Sequence, residues 1–390
     1  MKKNKDNIIF KNNFPYSLFN QKLFKKNNLI ISRELDHIYK KLNLKKDVFH
    51  TLSNKFKLNL RQEDLRKFKK FKKVAIVGMG GSILGTKAIY YFLREKIKKD
   101  FLFFDNLDQI KIDKFINKSK LKDILFVVVS KSGNTLETLT ILSLIKKKLK
   151  NSKNIIIVSE KNNNKLYKIS KKFDLLHFEH KKYVGGRYSV LSEVGMLPAF
   201  LMGLNTKKIR NNLLVHFKKK KKNYISKSAS VIASLYFSKK INNIIFLNYS
   251  PSVKHFTFWC QQLIAESLGK KGKGLMPVIS TGPRDHHSLL QLYLDGPKDK
   301  IFYVISDKYK SHSRVREIVT SQKNAFLQVL KRKKIPYRGI VINKFNEEAI
   351  GELFSYFIIE TAMIGKANNL NPFDQNAVEE VKKITNKMLS

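Results

Sequence analysis

Cysteine is almost missing from this chain of 390 residues, Cys260 being the single one. That excludes an intrachain disulfide and points to a reducing compartment. Long apolar runs are missing too. No stretch approaches the roughly 18 apolar residues of a membrane-spanning helix. The basic start, MKKNKDNIIFKNNF, lacks the run of roughly 7 to 15 apolar residues that a signal peptide needs. The expected location is therefore cytoplasmic, with no membrane partner. Acidic residues are scarce: 30 Asp and Glu stand against 78 Lys and Arg, a formal charge of +48. A surplus of that size raises nucleic acid or an acidic membrane as partners. Here it is diffuse, with lysines spread among Asn, Ile, Phe and Tyr along almost the whole chain. It reads as a solvated lysine-rich surface, with no nucleic acid expected, and its field would equally draw in a small dianionic substrate.

The length accommodates two ordinary domains, each able to bury its own core, and 43% hydrophobic with 11% aromatic residues is a globular composition. Residues 1–70 carry helical patterning, as in LISRELDHIYKKL and EDLRKFKKF, and are expected to form a helical N-terminal extension. From Val74 the pattern changes to short apolar runs, each followed by a Gly, Ser or Asn cluster and a helix-length segment. These runs are VAIVG, FLFFDN, ILFVVVS, NIIIVSE and DLLHFE. Such runs alternating with helices predict strands buried on both faces, hence a mainly parallel sheet flanked by helices. A second series, NIIFLNYS, IFYVIS and YRGIVIN, follows the charge run at Lys218. The expected organisation is α/β: a first three-layer domain over 71–205, a second over 206–345, and a C-terminal helical segment over 346–390.

Two strand-to-helix loops carry candidate chemistry. In VAIVGMGGSILGTKA a buried strand runs into Gly78, Gly80, Gly81 and Ser82 and then a helix. Glycines let the backbone approach a ligand, and free amides at a helix start favour an anion. Alone, this fits either a dinucleotide fingerprint or a tight turn, and its GxGGxxxG spacing departs from the former. In VVVSKSGNTLET, Ser130, Lys131, Ser132 and Thr135 crowd a strand end. Hydroxyls plus helix-start amides suit a phosphate monoester, although Ser132 could simply cap the helix that follows. Two such loops can converge on one phosphate.

GMGGSILG and SKSGNTLET resemble the first two signatures of the glucose-6-phosphate isomerase family, within the sugar isomerase domain superfamily. GGRYSVLSEVGMLPAFLMG, QQLIAESLGKKGKG, DHHSLLQLYLDGP and NPFDQNAVEEVKK resemble the rest, in order, between residues 74 and 383. The resemblance implies two sugar-isomerase-type domains. It also implies reversible conversion of glucose-6-phosphate to fructose-6-phosphate through a cis-enediolate, in glycolysis and gluconeogenesis, without metal or other cofactor.

By this resemblance Glu266 is the proton-transfer carboxylate, and a well-placed base is worth roughly 10² to 10⁴ in rate. His287 assists ring opening, a task that suits an imidazole. The family commonly has Gln where His286 stands. Asp285, His286 and His287 are consecutive, which suits a metal poorly. Arg187 would counter the enediolate charge, with a structural salt bridge as its alternative role. Lys382 matches the lysine near the ring oxygen. Ala377 and Val381 replace two family glycines there, so Lys383 competes for the assignment. Gln375 matches a sugar-hydroxyl contact. Gly81, Ser82, Ser130, Lys131, Ser132 and Thr135 would hold the phosphate. Trp259 and Cys260 read as packing residues. The resemblance further implies a homodimer in which the ring-opening histidine serves the neighbouring subunit's site. A second activity on mannose-6-phosphate stays open. A transcription regulator built on such domains would need a helix-turn-helix, which residues 1–70 do not display.

Overall fold

The computed structural model describes residues 6–149, 153–238, 240–308 and 313–389. The first element is a strand, β1 (Ile8–Asn13), not a helix; the first five residues of the expected helical extension lie outside the described residues. The helix Gln21–Lys41 follows, started by Asn20, whose Oδ1 accepts from the amides of Lys22 and Leu23.

Among the described residues nine further strands join β1 in two sheets. β2 (Lys73–Val77), β3 (Asp100–Phe104), β4 (Ile124–Val129), β5 (Ile155–Ser159) and β6 (Leu176–Glu179) make the first, all parallel, in the order β3-β2-β4-β5-β6. The central β4, Ile-Leu-Phe-Val-Val-Val, is buried at every position, as expected for a strand covered on both faces. β7 (Asn243–Asn248), β8 (Met276–Thr281), β9 (Lys300–Asp307) and β10 (Tyr337–Ile342) make the second. Its order is β1-β10-β9-β7-β8, with only β1 antiparallel. The amino-terminal segment therefore completes the second sheet, far away in sequence.

Both sheets reverse direction in the same way. The chain passes from β2 outward to β3, then returns to the other side of β2 as β4; β7, β8 and β9 repeat the move. In such sheets the crevice outside the carboxyl ends of the strands at the reversal is where ligands bind. The glycine loop leaves β2 and the serine loop leaves β4, and these two strands are directly paired. The two loops therefore flank the crevice of the first sheet.

One apolar core runs between the sheets. It joins Val74 and Ile76 of β2, Ile244 and Phe246 of β7, and the helices Leu84–Phe92, Lys254–Leu268 and Glu347–Ala367. Trp259 and Cys260 lie in it, fully buried, as packing residues should. Smaller cores cover the outer face of each sheet. The helix Glu347–Ala367 is buried nearly all round, and the charges it carries inward are paired. Glu360 takes a two-pronged bond from Arg338 at 2.7 and 2.8 Å, and Glu352 one from Lys221 at 2.6 Å.

Candidate active site

The glycine loop is fixed from across the crevice. A side chain at Gly81 would place its Cβ 2.2 Å from the carbonyl carbon of Gly186, so only glycine lets this loop lie against the backbone of the Gly185-Gly186-Arg187 turn. That turn, a 3-10 helix over Gly186–Leu191, drives Arg187 into the interior, where it has no exposed surface.

Arg187 organises the cluster. Its Nε donates to Ser267 Oγ at 2.8 Å, and Nη1 donates to Glu266 Oε2 at 3.1 Å and Gln375 Oε1 at 2.6 Å. Nη2 donates to the carbonyls of Pro372 at 2.6 Å and Asp374 at 2.9 Å. A guanidinium carries five N–H donors, and all five are engaged. Three separate stretches of sequence meet on this one side chain: the turn after β6, the helix Lys254–Leu268, and the C-terminal NPFDQ segment.

Glu266 lies near the end of the Lys254–Leu268 helix, which Gly269 closes with its amide on the Ala265 carbonyl at 2.8 Å. Its second oxygen accepts from Gln262 Nε2 at 2.9 Å, one helical turn back. Both carboxylate oxygens are thus oriented, yet the side chain keeps 26% of its surface open. A held, partly open carboxylate beside a buried cation is suited to exchanging a proton with a bound carbon acid.

In the serine loop, Ser130 is buried and shares a hydrogen bond of 2.7 Å with Thr135 Oγ1, just before the helix Leu136–Leu149. Ser132 is exposed and accepts from the Asn134 amide at 3.3 Å, so it stays within its own loop. Ser82 is buried on the opposite loop. Lys131 stands 3.9 Å from Glu160, and burial lowers its pKa, opposed by Glu160 and reinforced by Arg187 and Lys182. The reach of Arg187's field to Lys131 links the loop electrostatically to the carboxylate cluster.

The structure brings Glu266, Arg187 and Gln375 into contact. Two expected partners stand elsewhere. His287 is exposed on the loop after β8. Lys382 is 56% exposed on the helix Ala377–Leu389, paired with Glu379 at 2.7 Å. Among the described residues no group of three or more His, Cys, Asp or Glu side chains gathers as metal ligands would. Ser267, Tyr188 and Gln262 escaped the sequence reading. Ser267 accepts from Arg187 and donates to Tyr188 Oη at 2.8 Å, which leaves the tyrosine proton for the Pro372 carbonyl at 2.9 Å. Gln262 was discoverable, standing four residues before Glu266 on a helix.

A model of the phosphoglucose isomerase family matches residues 28–282. The glucose-6-phosphate isomerase of Methanocaldococcus jannaschii is 36% identical over 346 residues, covering 83% of this chain and 86% of that protein. That of Campylobacter jejuni subsp. jejuni is 30% identical over 350 residues, covering 82% and 86%. In fold, a crystal structure of a glucose-6-phosphate isomerase from Chlamydia trachomatis matches 98% of this chain and 88% of that one, with a TM-score of 0.80 at 19% identity. A tagatose-6-phosphate ketose/aldose isomerase from Escherichia coli matches 91% and 94% with a TM-score of 0.50 at 13% identity, a likeness of fold. Since the family match spans well over half of the sequence and the relatives align along most of it, this chain belongs to the phosphoglucose isomerase family.

Proposed function

We propose how this chain's own residues carry out the interconversion of glucose-6-phosphate and fructose-6-phosphate, the reaction of its family and a step of glycolysis and gluconeogenesis. The meeting of Glu266 and Gln375 on Arg187 Nη1, beside the glycine loop that leaves β2, carries the reading. The phosphate sits between the two loops, on Ser82, Ser130, Lys131, Ser132 and Thr135, with the Gly81 backbone alongside. The sugar then extends toward the carboxylate. Glu266 takes the proton from C2 of the open-chain aldose and returns it to C1 of the cis-enediolate. Because every donor of Arg187 is engaged, that residue acts through its fixed buried charge, not by giving a hydrogen bond to the enediolate. Gln375 touches a sugar hydroxyl.

Ring opening falls to His287 and Lys382. The exposure of His287 supports its delivery to a neighbouring subunit's site, in a homodimer working in the cytoplasm. A lone, buried Cys260 is consistent with that compartment. Lys382 reaches a sugar only if its helix lies over the crevice. The chemistry needs no metal.

A coupled assay supplying fructose-6-phosphate, glucose-6-phosphate dehydrogenase and its oxidised cofactor, with EDTA present, tests the scheme. Wild-type protein should give steady absorbance growth. Glu266→Gln should lose it while still binding the phosphosugar, and near-normal turnover in that variant would remove the assignment. Sedimentation showing an active monomer would refute the shared site.

A further inference from the structure

We infer that Tyr249 and His286 are positioning residues for the isomerase, a hydrogen-bonded pair that fixes the direction in which His287 is presented; the inference rests on the ring-opening role given to His287 above. The loop after β8 is a short 3-10 turn over Arg284–His286, with the amides of His286 and His287 on the carbonyls of Pro283 and Arg284 at 2.9 and 3.1 Å. Successive side chains in such a turn leave its axis about 120° apart. Fixing two neighbours therefore determines where the third points.

The first fixed neighbour is Asp285, buried, whose Oδ2 accepts from Ser280 Oγ and the Thr281 amide, both at 2.8 Å, and whose Oδ1 accepts from Arg284 Nε at 2.7 Å. The second is His286. Its Nε2 meets Tyr249 Oη at 2.6 Å, its ring stands edge-on to the tyrosine ring at 5.7 Å, and Phe326 closes its other side at 5.7 Å. Tyr249 follows β7 directly and is itself buried. Its ring fits beneath the loop because residue 282 is glycine: a Cβ there would lie 2.6 Å from the ring. With Asp285 and His286 both held inward, His287 faces solvent.

The protonation states agree with this geometry. Burial pushes the Tyr249 phenol above its ordinary pKa, so it keeps its proton and donates. Burial and the neighbouring His287 lower the pKa of His286, against a smaller opposite pull from Asp285, so its Nε2 is free to accept. The chain's departure from its family at position 286 is thus matched by a hydroxyl one strand away. A glutamine side-chain amide could meet the same hydroxyl.

The test measures kcat and KM for fructose-6-phosphate in the full-length protein, with thermal unfolding by circular dichroism on each variant. Tyr249→Phe and His286→Leu should each lower kcat about tenfold, in line with the sensitivity of catalysis to small misplacement, while KM barely moves. His286→Gln should retain most of the rate. In a His287→Ala background, Tyr249→Phe should cost nothing more, because the group it positions is gone. A folded Tyr249→Phe protein with wild-type kcat, or losses that multiply in the His287→Ala background, would overturn the inference while leaving the role of His287 intact. A His287→Ala enzyme at wild-type rate would remove that role and the inference with it.

Discussion

Two buried arginines show what one residue can hold together. Arg338 and Glu360 are both almost fully buried, and Arg338 also bonds Ser228. Taking two charges out of water is offset by their two-pronged contact, so losing one partner strands the other. Glu360→Gln keeps the shape but removes the charge, and should cost about 3–5 kcal/mol in urea unfolding, whereas Glu380→Gln on the exposed C-terminal helix should cost nothing measurable. Equal losses would sink the distinction. Arg187 works differently, since its carboxylate partner keeps an open face and its remaining donors bind Gln375, Ser267 and two backbone carbonyls. Arg187, Glu266 and Gln375 were legible through the resemblance of their ordered motifs to a known family, since by residue type alone Glu266 reads as a solvent-facing helix residue. That all five donors of Arg187 are filled could not be read there. It depends on three distant segments converging, and on carbonyls that any residue type could supply.

At the scale of elements, legibility followed burial. Most strands found in the sequence are apolar runs buried almost throughout, and the edge strands β3 and β6, though partly open, still carry such runs; the two overlooked, β1 and β8, are partly open and their runs are cut short. β8, Met-Pro-Val-Ile-Ser-Thr, is interrupted by Pro277 and leaves Met276 64% exposed. β1 is an edge strand whose second half is Lys-Asn-Asn, and only its pairing with β10 across more than three hundred residues of sequence makes it a strand. The helix Ala377–Leu389 shows the reverse. It is amphipathic, with Val378, Val381, Ile384 and Met388 on one stripe, yet none of its residues is buried. If this helix closes over the sugar to deliver Lys382, burying that stripe is what holds it there. Ile384→Asp should then lower kcat about tenfold or more without shifting the unfolding midpoint, since the stripe adds nothing to the core. Lys382→Ala should cut turnover while Lys383→Ala spares it, which also fixes the register that two missing glycines left open. Full activity in Ile384→Asp would show that the helix does not close.

For the whole molecule, charge bears on encounter through the surplus of +48 and on stability through groups the fold keeps neutral. A dianionic phosphosugar is drawn in by that field, so kcat/KM should fall as salt is raised while kcat holds, and a flat response would deny steering. Stability should depend on pH through histidines that the fold keeps neutral. Burial lowers the pKa of His177, His180 and His255 to about 4 and of His216 to about 3, against an ordinary 6.5. Nearby lysines add to each effect. Between those values the unfolded chain binds protons that the folded chain refuses, so unfolding free energy must drop as pH falls from about 6.5 toward 4. Glu352 opposes this, because burial raises its pKa and lets the folded state accept a proton, but it is one group against these four and His286. His216 isolates the effect: its Nε2 bonds the Glu352 carbonyl at 3.1 Å, a contact a glutamine amide can imitate without titrating. Urea unfolding should therefore show a clear loss of stability from pH 7 to pH 5 in the wild type and a shallower one in His216→Gln. Stability unchanged over that interval would mean that the buried imidazoles take up protons in the folded state as readily as in the unfolded one.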